Sequence, residues 1–206
     1  CMHEAFEKVV EKRPDHPAYV FKDETYTYRE LNAKANKLAH FLKSKGIGPE
    51  VSVGVCVRRS AWMGIGALGV FKSAGTFVPL DPNYPADRLE HMVKVAEPKI
   101  ILTHEAAEEN LPPNDAEVIF LDRDWESLVE SQPDTNPASL GHAKHSCYIL
   151  FTSGSTGMPK GIRVGHESWR NMGVAHAEFG VHDPEDRLLQ FASLSFSIPL
   201  FGTFMS

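Results

Sequence analysis

The chain has 206 residues, 42% of them hydrophobic and 23% charged, with a formal net charge of −6. Those fractions suit a soluble protein with a core and exclude wholesale disorder, a collagen-like chain and a disulfide scaffold, while the mild acidity speaks against a generally basic nucleic-acid binder. No run of about 18 apolar residues exists, so no membrane span is expected, and Cys1, Cys56 and Cys147 stand far apart with no CxxC pair, which suits a reducing, cytoplasmic setting without disulfides or a zinc site.

Met2–Arg13 carries a helical stripe of Met2, Ala5, Phe6, Val9 and Val10, ended by Pro14. Ala18–Phe21 reads as a short strand and Asp23-Glu24 as a turn. Thr27-Tyr28-Arg29-Glu30 fits a capping box, in which the hydroxyl and the carboxylate satisfy free N–H groups. The helix it opens places Leu31, Ala35, Leu38 and Leu42 on one face and stops at Gly46. Val51–Val57 is a β-branched run expected as a buried strand. Ala61–Ala74 is an apolar helical segment rich in small residues, and Thr76–Leu80 a strand closed by Asp81-Pro82-Asn83-Tyr84-Pro85.

Ala86–Ala96 is helical, with Leu89, Met92, Val93 and Ala96 on one face. Lys99–Thr103 and Val118–Leu121 read as strands. Residues 131–145, with two prolines and many small polar residues, are the most linker-like stretch. Cys147–Phe151 is a strand, followed by a Gly/Ser/Thr-rich loop to Gly161. Ile162–Val164 looks extended, His166–Phe179 helical and Leu188–Ala192 extended. Such alternation predicts an α/β fold with a mostly parallel sheet flanked by helices. The chain closes at Phe204-Met205-Ser206 straight after an apolar stretch, so 206 residues are expected to be part of a longer protein with an apolar face left open.

Chemistry concentrates in Thr152-Ser153-Gly154-Ser155-Thr156-Gly157-Met158-Pro159-Lys160-Gly161. Glycines let a backbone turn its N–H groups toward a polyphosphate, hydroxyls add donors, and Lys160 adds a point charge. A flexible surface loop has similar composition. The preceding strand and the Pro-Lys-Gly exit favour phosphate binding. The stretch is not a Walker A loop, which needs Gly before Lys and a hydroxyl after it.

Thr152–Gly161 resembles the signature phosphate loop of the adenylate-forming superfamily. Thr25–Leu42 (TYTYRELNAKANKLAHFL) resembles the first core motif of nonribosomal peptide synthetase adenylation domains, and Phe71–Leu89 (FKSAGTFVPLDPNYPADRL) the second. The resemblance covers the chain from about Met2 onward, with the D-alanine–carrier-protein ligases as the nearest confusable relatives. It implies that residues 1–206 are the N-terminal part of the large subdomain of the adenylate-forming fold, without the C-terminal subdomain.

The implied activity has two steps. A carboxylic acid attacks Mg-ATP to give an acyl-adenylate, which passes to the phosphopantetheine thiol of a carrier protein, with a condensation domain expected in cis. Thr152, Ser153, Gly154, Ser155, Thr156, Gly157 and Lys160 would hold the ATP phosphates. The catalytic lysine and the Mg2+ ligand of the family lie in motifs beyond Ser206, so no catalytic or metal residue is assigned within the chain, and the chain alone is expected to be inactive. Neither nucleic acid nor membrane is an expected partner. Two alternatives remain: a free-standing carrier-protein or CoA ligase, and an inactive nucleotide-binding remnant.

Leu194-Ser195-Phe196-Ser197-Ile198-Pro199-Leu200-Phe201 resembles the fourth core motif, where an Asp following Phe pairs with the substrate α-ammonium. Here that residue is Ser197, and a serine cannot neutralise a buried cation. By the resemblance, Phe196, Ser197 and Phe201 line the acid pocket, and Ser197 points to an acid other than an ordinary α-amino acid, the alternatives being that another residue holds the amine or that the site has decayed.

Other features read as structural. Gly64-Ile65-Gly66-Ala67-Leu68-Gly69 matches GxGxxG by letter, but residues 58–63 separate it from the strand, so a helix with close contacts is expected. Arg58-Arg59, Lys43/Lys45, His142/His145 and His166/His176 read as surface or capping groups. Asp122, Asp124 and Glu126 read as helix N-terminal charge, and Cys147 as a small buried residue.

Overall fold

The computed structural model describes residues 1–152, 158–178, 186–193 and 195. Helix α1 (Met2–Lys12) leads into a hairpin of β1 (Pro17–Phe21) and β2 (Glu24–Thr27). Then follow α2 (Tyr28–Ser44), β3 (Ser52–Cys56), α3 (Ala61–Lys72), β4 (Thr76–Pro79), α4 (Ala86–Ala96), β5 (Ile100–Thr103) and β6 (Glu117–Phe120). The last elements are β7 (Ser146–Thr152), β8 (Lys160–Gly165) and α5 (His166–Glu178).

The main sheet runs β6-β5-β3-β4-β7-β8, parallel throughout except for β8, which is antiparallel to β7. The fold is thus α/β with a mostly parallel sheet flanked by helices. On one face Val53, Val55, Phe77, Ile100, Leu102 and Tyr148 meet α1, α2, α3 and α5. On the other, Val78, Ile101, Ile149 and Phe151 meet Leu89, Met92, Val93 and Ala96 of α4. Parallel strands covered on both faces are buried end to end, and β3, β4 and β5 are.

The capping box forms as expected. Glu30 N–H donates to Thr27 Oγ1 (3.2 Å) and Thr27 N–H to Glu30 Oε2 (2.8 Å). Helix α3 is buried nearly all round, which explains its lack of a polar face. Its glycines are packing residues: an added Cβ would lie 3.2 Å from the Tyr19 ring at Gly64, 3.3 Å from Val55 at Gly66 and 2.6 Å from Leu38 at Gly69. The helix ends at Lys72 because Ala74 turns left-handed, with φ 64°. A Cβ strains that conformation and glycine relieves it. Ala74→Gly is expected to raise stability by about 0.5–1 kcal/mol, read as a higher urea midpoint at unchanged slope.

Two local features depart from the expectations. Glu24 belongs to a strand, and the hairpin turns at Lys22-Asp23 with Lys22 at φ 52°. Residues 105–110 and 125–129 form short helical turns. The acidic residues stand at the helical starts as expected: Asp122 accepts from the N–H of Glu105, the first residue of 105–110 (3.0 Å), and Asp124 precedes 125–129 with Glu126 in its first turn, while the Asp124 carboxylate accepts from Phe120 N–H of β6 (2.9 Å).

Residues 131–145 run as an irregular strap across α2. Asn36 Nδ2 donates to Asp134 O (2.6 Å) and Asn136 Oδ1 (3.0 Å), His40 Nε2 to Thr135 O (3.0 Å) and Lys43 Nζ to Ala138 O (2.6 Å). Lys72 reaches Asn136 Oδ1 (3.2 Å) while ion-paired to Glu7.

Candidate functional site

Strand β7 positions the first candidate stretch. Ile149 and Phe151 bury against α4, while Tyr148 packs edge-on against the fully buried Trp169 of α5 at 4.8 Å between ring centroids. Its start is pinned by Glu50, whose carboxylate accepts from Ser146 N–H (2.8 Å), Ser146 Oγ–H (2.6 Å) and Arg163 (3.2 Å). The Ser146 hydrogen bonds hold the Glu50 carboxyl below its usual range.

At the far end of β7, Thr152 is exposed and stands opposite the exposed Lys160 of β8 in the antiparallel ladder. A hydroxyl and an ammonium therefore flank the chain segment between them. The remaining phosphate candidates, Ser153, Gly154, Ser155, Thr156 and Gly157, lie outside the described residues. The exit of that segment is anchored by α4: His91 Nε2–H donates to Pro159 O (2.8 Å). Gly161 sits tight in the ladder, since a Cβ there would lie 3.2 Å from Ile149 and 3.3 Å from Phe151.

The second candidate stretch reaches the same edge of the sheet. Ser195 is buried and its Oγ–H donates to Pro79 O at the end of β4 (3.5 Å), with Ser195 N–H on Ser193 Oγ (3.2 Å). The pocket candidates Phe196, Ser197 and Phe201 lie outside the described residues. Residues 188–192 form no strand.

Between the two stretches a cleft opens at the C-terminal ends of β3 and β4, lined by Arg58, Arg59, Met63, Asp81, Asn83 and Ser193 among others. Topology places it there. The chain leaves β3 into α3 on one face and β4 into α4 on the other, so the strands part at a switch point, where open α/β sheets form their binding crevices. Strand β7 lies beside β4 and parallel to it, so Thr152 emerges at the same edge.

Several residues expected as surface groups are engaged. Arg58 N–H donates to His104 Nε2 (2.9 Å), and its guanidinium to Ala106 O (2.5 Å) and Asn110 Oδ1 (2.9 Å). Arg59 donates to the carbonyls of Gln190 and Phe191. His166 is buried beside His3, with Met2 N–H on its Nδ1 (3.5 Å). Burial pushes the Cys56 thiol up to about 12 and the Cys147 thiol higher still, so both are inert small residues. Sequence patterns do not reveal His91 and Arg59, because their partners are backbone carbonyls 68 and 131–132 residues away.

No helix among the described residues is long and apolar enough to cross a membrane. The family described as AMP-binding enzyme matches residues 6–206. A linear gramicidin synthase of Brevibacillus parabrevis is 42% identical over 96% of the chain, and chondramide synthase of Chondromyces crocatus 41% over 95%. The chain spans only 2% and 5% of those two curated relatives.

Among solved structures, the nonribosomal peptide synthetase FmoA3 in its α-methyl-L-serine-AMP-bound form superimposes with a TM-score of 0.88 at 25% identity, over 98% of this chain and 22% of that one. The N-terminal subdomain of Klebsiella oxytoca NpsA gives 0.84 at 23% identity, over 99% and 50%. Matching along nearly its whole length, and similar to peptide synthetases in sequence and fold as its three motifs imply, the chain belongs to the AMP-binding enzyme family.

Proposed function

We propose that the protein activates a carboxylic acid with Mg-ATP as part of a nonribosomal peptide synthetase. The observation that carries this reading is the β7–β8 ladder, which sets Thr152 and Lys160 on either side of a Gly/Ser/Thr-rich segment, at the sheet edge that also bears the switch-point cleft. FmoA3, a relative of the same fold, has been captured with an aminoacyl-AMP, and the same type of product is proposed here.

In the first step a carboxylate oxygen bonds to the α-phosphorus and pyrophosphate leaves with the electrons of the broken P–O bond. The β- and γ-phosphates carry most of the charge, so the contribution of this segment is positioning and neutralisation. Thr152 supplies a hydroxyl and Lys160 a cation, and Ser153–Gly157 would complete the cradle. Mg2+ would be held by residues outside this chain. In the second step a phosphopantetheine thiol attacks the acyl carbon and AMP leaves, with a carrier domain in the same cytoplasmic polypeptide.

The experiment is ATP–pyrophosphate exchange by the full-length protein over a panel of acids. Ser197 favours a hydroxy, keto, aryl, β-amino or fatty acid, because an α-ammonium would be left without its counter-charge. Strong preference for a common α-amino acid would remove that part of the reading, and ATP binding without exchange would support an inactive remnant. Lys160→Ala is expected to lower kcat/KM for ATP by about 10- to 100-fold, the size of one charge-assisted hydrogen bond, while KM for the acid stays within about twofold. Lys160→Arg should recover part of the loss.

A further inference from the structure

We propose that His91 is a positioning residue for ATP, acting through the peptide unit that joins Pro159 to Lys160; the inference rests on the proposed reading of Lys160 as a cation for the ATP phosphates.

The contact falls on the backbone group that aims Lys160. His91 Nε2–H donates to Pro159 O at 2.8 Å. That carbonyl and the Lys160 N–H belong to one planar peptide unit, and the Lys160 Cα lies in the same plane. The proline ring holds its own φ at about −65°, so ψ of Pro159 is the one soft torsion left to turn the plane. A hydrogen bond to the carbonyl oxygen sets that torsion. His91 thereby directs how the chain enters Lys160.

The helix that carries His91 shares a frame with the other end of the segment. Leu89, Met92, Val93 and Ala96 of α4 pack against Ile149 and Phe151 of β7, and β7 ends at Thr152. Thr152 is in turn the ladder partner of Lys160. From β7 through α4, His91 and Pro159 to Lys160, and back across the ladder to Thr152, the contacts close a ring. The hydroxyl and the ammonium proposed to flank the phosphates are thus referred to one rigid unit.

Other fastenings of the hairpin lie elsewhere. Glu50 pins Ser146 and Arg163, but Ser146 stands about 20 Å along the strand from Thr152. On its other side β7 pairs with β4 at one position, Tyr148 opposite Phe77. At the Thr152–Lys160 end, His91 is the side chain that ties the exit to a helix packed on β7.

Two substitutions separate the hydrogen bond from the shape. Phenylalanine keeps a ring and loses the donor, whereas glutamine keeps an Nε2 donor at the same number of bonds from Cα.

The test uses the full-length protein, ATP–pyrophosphate exchange and hydrogen–deuterium exchange. His91→Phe is expected to lower kcat/KM for ATP about fivefold, the size of one neutral hydrogen bond, with KM for the acid within about twofold. The melting temperature should stay within about 2 °C. His91→Gln should fall between it and the native protein. Because His91 acts through Lys160, the double variant His91→Phe/Lys160→Ala should match Lys160→Ala alone within about twofold. Amide exchange in the peptide spanning residues 158–165 should quicken at least about threefold in His91→Phe. An unchanged kcat/KM for ATP in an active enzyme, an equal rise in KM for the acid, or losses that multiply in the double variant overturn the inference. Unchanged amide exchange also overturns it, and that readout needs no turnover. It therefore stands even if the native protein exchanges with no acid, a result that would instead sink the proposed function.

Discussion

Replacing Lys72 by methionine is expected to cost about 3–5 kcal/mol of stability, more than most single substitutions in this fold. The Lys72 side chain is fully buried at the end of α3, and its ammonium pairs with Glu7 of α1, itself only 18% exposed. Burial lowers the lysine pKa, while Glu7 acts in the opposite direction and keeps the charge in place. Removing the cation leaves a carboxylate in low dielectric with its counter-charge gone. Removing both charges is a different experiment, because the double variant Lys72→Met/Glu7→Leu loses the Coulomb attraction and the desolvation cost together. It should recover most of the lost stability. The strap residue Asn136 does not confuse the result, since its Oδ1 still accepts from Asn32 (3.1 Å) and Asn36 (3.0 Å). Urea midpoints of the two single variants and the double give the coupling directly, and a coupling below about 1 kcal/mol would contradict the buried-pair account.

The strap illustrates what a sequence can and cannot reveal. Its prolines and small polar residues read correctly as irregular backbone. Its order does not come from its own composition but from Asn36, His40, Lys43 and Lys72, which lie 64 to 100 residues away in sequence. Local periodicity carries no trace of such contacts. The legible elements are those whose cause is local. Val51–Val57 is β-branched, with β3 buried on both faces, Thr27 and Glu30 cap their own helix, and Leu89, Met92, Val93 and Ala96 make one stripe. The GxGxxG look-alike is separable from a nucleotide fingerprint because its distance from the strand is countable. The hairpin at Lys22-Asp23 is hard to read because Thr25–Thr27 serves two purposes, as strand and as cap.

The same division runs through the candidate site. Thr152 and Lys160 stand out because residue chemistry and spacing suffice. Arg59 and His91 do not, because a side chain aimed at a distant carbonyl leaves no pattern in its neighbours. His166 misleads for a related reason. Its position after β8 suggests a surface cap, but the burial comes from α1 packing over it.

That burial leads to the second large effect, a loss of stability in mild acid. His3 is 4% exposed and His166 1% exposed. Burial, reinforced by Lys72 near His3, lowers His3 from 6.5 to about 3 and His166 to about 4. Between those values and 6.5 the unfolded chain binds two protons that the folded chain excludes, so stability falls as pH falls through this window. From about pH 7 to pH 5 the two histidines together should remove about 4 kcal/mol, roughly 2 kcal/mol each. The Glu50 carboxylate, held below its usual range by its Ser146 hydrogen bonds, is stabilising above about pH 4.5 and loses that contribution only below it, which leaves the histidine window largely separate. His104, also lowered by burial, adds in the same direction. Urea midpoints at half-unit steps between about pH 7 and pH 5 measure the slope. His166→Phe should flatten it by close to one proton, since phenylalanine fills the space without titrating. A slope unchanged by that substitution would mean that the ring is protonated in the folded state and that its burial is compensated by a counter-charge.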